Sequence, residues 1–77
     1  MVTAFVMIVA KPGGEKQLVQ ELEALPEVKE VWEVYGEYDI VVRVVIDSLQ
    51  VLDSFVREKI RKMPLVQLTT TMISVQQ

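Results

Sequence analysis

The chain has 77 residues, 51% of them apolar, with eight Lys and Arg against eleven Asp and Glu for a net charge of −3, and no Cys or His. One domain this small, residues 1–77, buries only about 60% of its unfolded surface, so its apolar excess points to association with other copies. The acidic balance argues against nucleic acid, whose phosphates must be neutralised by Lys and Arg. The missing Cys and His remove the commonest nucleophile, acid–base group and metal ligands, so we expect no enzyme, no cofactor and no metal.

Residues 3–10 form a continuous apolar run of strand length, ended by Lys11-Pro12-Gly13-Gly14. The run is too short to span a membrane, and no basic residue precedes it as in a signal peptide. A cytoplasmic protein without membrane contact is therefore expected. Phe5, Met7 and Val9 would lie on one face and Ala4, Val6 and Ile8 on the other, and a strand apolar on both faces is covered on both. The Gly13-Gly14 pair is read as a turn rather than a phosphate cradle.

Residues 14–25 carry Leu18, Val19, Leu22 and Leu25 on one helical stripe, and Pro26 stops the helix. Residues 27–35 and 39–46 read as the two arms of a hairpin. With Gly36-Glu37 as the central pair of a type II′ turn, Tyr35 faces Tyr38, Val31 faces Val42 and Glu30 faces Arg43. Trp32 is expected in an interface or core. Asp47 and Gln50 suggest a capping box for a second helix over 48–62, with Leu49, Leu52, Phe55, Val56, Ile60 and Met63 as its stripe. Arg57, Lys59, Arg61 and Lys62 fall in its second half, where cations complement the helix dipole. Pro64 marks its exit, residues 66–75 read as a last strand, and Gln76-Gln77 as a polar end.

The order β-α-β-β-α-β, with right-handed crossovers, predicts an α+β, ferredoxin-like βαββαβ fold: a four-stranded antiparallel sheet with two helices on one face. The first and third strands would be central and the bare face apolar, hence a binding surface best covered by a second copy. Asp39, next to the turn in an apolar strand, must be exposed, paired or hydrogen-bonded. It either caps the turn's own N–H groups or receives a ligand's ammonium. Thr69 and Thr71 share one face of the last strand and offer hydroxyls at an edge. The absence of Cys, His and Asn points toward a thermophilic source.

Taken together, the chain resembles the ligand-binding (RAM) domain of the Lrp/AsnC regulators of amino-acid metabolism over nearly its whole length. The likeness rests on the Val-rich strand into Gly36-Glu37-Tyr38-Asp39 and Ile40-Val41-Val42-Arg43-Val44. It continues through Leu52, Phe55-Val56 and Lys59-Ile60 to Pro64, Val66, Thr69, Thr71, Ile73 and Val75. The resemblance implies transcription regulation, a homodimer packed sheet to sheet, and dimers joined in a ring, often an octamer. It also implies an amino-acid effector held between dimers near Gly36, Tyr38, Asp39, Thr69 and Thr71. Two features depart from the family pattern: the chain starts at the first strand, without the usual helix-turn-helix domain, and Leu65 stands where Gly is common.

We therefore expect a stand-alone amino-acid-sensing domain without direct contact to nucleic acid. The alternatives are an assembly partner that co-oligomerises with full-length Lrp/AsnC regulators, or a small dimeric ferredoxin-like oxygenase. An ACT-type module shares the strand order, but Pro12-Gly13-Gly14 only partly meets its glycine-rich loop.

Overall fold

The computed structural model describes residues 1–75; the polar end at 76–77 lies outside them. Four strands, β1 (Val2–Ala10), β2 (Val28–Glu33), β3 (Ile40–Ile46) and β4 (Val66–Ile73), form one sheet in the order β2-β3-β1-β4. Every pairing is antiparallel. The apolar first and third strands are central, as the sequence requires.

Helix α1 (Glu15–Glu23), helix α2 (Leu49–Phe55) and a π-helical turn over Val56–Ile60 cover one face. Strand pleating sends Ala4, Val6, Ile8 and Ala10 of β1 toward the helices, in rows with Val44, Val42 and Ile40 of β3. Leu18, Leu22, Leu52, Phe55 and Ile60 close over them to make the core. The alternate residues form the other face. There Phe5 lies between Arg43 and Met72, and Met7 between Val41 and Thr70. Trp32 pairs with Val41 on this face and remains 60% exposed, so it is not in the chain's own core.

The hairpin keeps the expected register, with Val31 opposite Val42 and Glu30 opposite Arg43, whose side chains pair at 3.0 Å. Its turn is wider than expected. The strands end at Glu33 and Ile40, Val34 N–H donates to Asp39 C=O at 2.9 Å, and residues 34–39 bridge the gap. Gly36 sits at φ 128°, a left-handed conformation that an L side chain rarely adopts, and this opens the loop. Tyr35 consequently points wholly into solvent instead of facing Tyr38.

The helix starts also differ. Ser48 is the N-cap of α2, its Oγ accepting from Val51 N–H at 3.2 Å; the cap is a single bond from Ser48, and Val51 at the third position leaves no reciprocal box in place of the expected Asp47–Gln50 pair. α1 begins at Gly14 with no side-chain cap and ends before Leu25, which is half-buried beyond it. Gly14 is buried under Leu65: a Cβ at Gly14 would stand 2.7 Å from Leu65 Cδ2. Lys11 N–H donates to Leu65 C=O at 2.9 Å, tying the same two loops together.

Candidate functional site

At the hairpin end of the sheet, Asp39 is half-buried and bonded twice to β1. Its N–H donates to Ile8 C=O, and its carboxylate Oδ2 accepts from Ala10 N–H, each at 2.9 Å. The β1–β4 register shifts between Val9 and Ala10, so the carboxylate receives an N–H at an irregular point of the ladder. Within the chain the carboxylate's partner is therefore β1 rather than the turn's own backbone. Tyr38 reaches across the sheet to β4, where its hydroxyl shares a 3.1 Å hydrogen bond with Thr70 Oγ1. Thr70 was not singled out in the sequence, because a run of three threonines does not show which hydroxyl faces a tyrosine 32 residues away.

Thr69 and Thr71 lie on the opposite face from Thr70, in rows with Ile8 and Val6. They line a groove of about 400 Å³ between β4 and α2, with Leu52, Val56, Arg61 and Ile73. A second groove of about 270 Å³ shares Arg61 and Thr69 and continues along Val66–Leu68. The grooves exist because α1 packs against β2, whereas α2 packs on its own π turn and on β3 and leaves β4 largely uncovered. The five residues named from the resemblance therefore fall into three places within one chain. Gly36 is in the exposed loop, Tyr38 and Asp39 are braced against β4 and β1, and Thr69 and Thr71 stand in the groove.

The π turn sets the groove's outer wall. Arg61 N–H reaches back five residues to Val56 C=O at 2.8 Å, while Ile60, fully buried, anchors the turn. Such turns are rare and recur at functional sites. Beside the groove Arg57 pairs with Asp53; in a separate depression Lys59 Nζ pairs with Glu27 at 3.0 Å and lies 5.9 Å from the Phe55 ring centre. Burial pushes the Glu27 carboxyl up. Its own backbone N–H, the hydrogen bond and charge of Lys59 and the charge of Lys29 outweigh that and hold it below the ordinary carboxylate value. Among the described residues no cluster of three or more Asp, Glu, His or Cys could hold a metal, and no helix is long and apolar enough to cross a membrane.

An antiparallel α+β sheet with one open apolar face and a hydroxyl-lined edge groove defines a small ferredoxin-like ligand-binding module. Residues 3–77 match the family model described as the Lrp/AsnC ligand binding domain, and the chain belongs to that family. An uncharacterised HTH-type transcriptional regulator of Pyrococcus abyssi is 39% identical over 72 residues, 94% of this chain and 46% of that protein. The chain thus spans about half the length of the curated relatives it matches. The crystal structure of FFRP-DM1 is 53% identical with a TM-score of 0.94, covering 97% of this chain and 100% of that one. AsnC of Escherichia coli is 30% identical with a TM-score of 0.93, covering 99% of this chain and 52% of that one.

Proposed function

We propose that this chain is an amino-acid-sensing regulatory domain, with its effector held between dimers of a ring-shaped oligomer such as an octamer. The groove beside β4 is the observation that carries this reading. It offers the Thr69 and Thr71 hydroxyls at a sheet edge that no helix fills. In the ring, the groove of one dimer receives the Gly36–Asp39 loop of the next, which brings the five residues back to one place. The open face bearing Phe5, Met7, Trp32 and Met72 supplies the dimer contact, since exposed apolar patches of this kind mark interfaces. The homologues are named transcriptional regulators, which supports a regulatory, non-enzymatic role. Relatives from Pyrococcus support a cytoplasmic protein of a thermophile.

A thermal-shift screen of the twenty amino acids, run beside light scattering, tests the proposal. One or a few amino acids are expected to raise Tm, and the mass should be at least twice the 8.8 kDa of the chain. A monomer at micromolar concentration that no amino acid stabilises would overturn it. The same open face favours a second reading, co-assembly with full-length regulators of the family. Native mass spectrometry of a mixture with such a regulator would then show mixed oligomers, and separate homo-oligomers would exclude it.

A further inference from the structure

The one basic residue among the described lining of either groove is Arg61, and it stands where the two meet, beside Thr69. Of the other cations at this helix end, Arg57 pairs with Asp53 and Lys59 with Glu27, and neither these nor Lys62 is among the described lining of the grooves. Arg61 makes no ion pair or side-chain hydrogen bond with any described residue. Its backbone, by contrast, is fixed by the i+5 bond to Val56 and by the buried Ile60 immediately before it. A guanidinium with an idle fork at the junction of two grooves suits a planar anion, and carboxylate is the planar anion every free amino acid carries.

We infer that Arg61 is the carboxylate receptor of the effector site. This rests on the amino-acid-sensing reading above and deepens it. The guanidinium takes the effector's carboxylate in a paired, fork-to-fork contact, and the Thr69 hydroxyl, able to donate or accept, completes the polar end of the site. From there the groove runs past Thr71 toward Leu49 and Ile73, since α2 and β4 run in opposite directions along it. Asp53, the one carboxylate among the described groove residues, is already held by Arg57 and does not line the second groove, which Arg61 and Thr69 share. Attraction for an anion is therefore concentrated at the Arg61 end.

The test compares acids with amides on the full chain. The probes are the twenty L-amino acids and the L-amino-acid amides, which keep the ammonium and side chain but lose the carboxylate charge. The wild-type chain should bind its preferred acid about tenfold or more tighter than the matching amide, in line with a hydrogen bond to a charged group. Arg61→Gln should weaken the acid by a similar factor, leave the amide almost unchanged and so erase the preference, while Arg61→Lys should restore part of it. Oligomer mass and unliganded melting temperature are measured for every variant, so that a loss of assembly is not mistaken for a loss of the carboxylate contact. A wild-type chain that binds acid and amide alike overturns the inference without recourse to any variant. A preference that survives Arg61→Gln overturns it too, and leaves the amino-acid reading standing. A chain that responds to none of the acids overturns both.

Discussion

The two edges of the sheet are built on opposite plans. β2 reads Val-Lys-Glu-Val-Trp-Glu, three charges in six residues, and α1 lies on it. Glu30 is pinned by Arg43, and Glu33 lies 4.0 Å from Lys16 of α1. β4 reads Val-Gln-Leu-Thr-Thr-Thr-Met-Ile, without one charge in eight residues, and α2 leaves its helix side open. Charged side chains on an edge strand discourage pairing with other chains. The contrast teaches that the fold closes one edge with charge and a helix and leaves the other uncharged and open.

The largest effect should come from the wall that shapes the open edge. Ile60 is fully buried beneath the π turn, and Ile60→Ala should cost about 2–5 kcal/mol, lowering Tm by roughly 10 °C or more. Hydrogen exchange should speed up in the π turn before it does in the β2–β3 ladder. Equal loss at both edges would mean that the two sides are not independently built.

Next comes Asp39, which links the hairpin to β1. Asp39→Ala leaves the half-buried Ala10 N–H without its acceptor and should cost about 1–3 kcal/mol, whereas Asp39→Asn retains a carbonyl and should recover most of it. Thermal melts distinguish this bracing role from a purely ligand-facing one, in which neither variant would change stability. In the latter case Asp39→Asn would instead weaken amino-acid binding while the melts matched.

Smaller again is the cap of α2. Ser48→Ala removes the acceptor for Val51 N–H and should cost about 1 kcal/mol in a chemical denaturation series. A control at the closed edge, Glu33→Gln, should fall within experimental scatter, since exposed pairs at such distances contribute little.

The smallest effect concerns acid. The Glu27 carboxyl is held below its ordinary value in the folded chain, so its contribution is present above the unfolded value and lost as pH falls through the folded one. Lys59→Met removes the nearby ammonium, raises the folded value and should flatten that part of the Tm–pH curve. A curve of unchanged slope would show that Lys59 does not hold the Glu27 charge.

Local pattern made much of this legible. The apolar doubling of β1 announced a central strand, and the pairing of Glu30 with Arg43 and Val31 with Val42 followed from alternation about Gly36. What stayed hidden depends on distance or on degenerate spacing. Ile60 fits a stripe as the fourth residue after Val56 or the fifth after Phe55, so an α turn and a π turn read alike in the sequence. Asp39 bonds a residue 29 positions away, and Tyr38 one 32 away, partners that only the folded sheet reveals. Arg61 was read as one of four cations at a helix end. Its place in the lining of both grooves, visible only in three dimensions, is what sets it apart.

The contact between Gly14 and Leu65 has a consequence for how such chains can diverge. Two loops from opposite halves of the sequence share one volume, and hydrogen lies on one side of it and an isobutyl group on the other. A methyl at position 14 fits only if the leucine swings out or shrinks, so the two positions can change size together far more readily than separately. The reverse division, Gly at 65 and a larger residue at 14, would fill the same volume. Here the division has gone the other way.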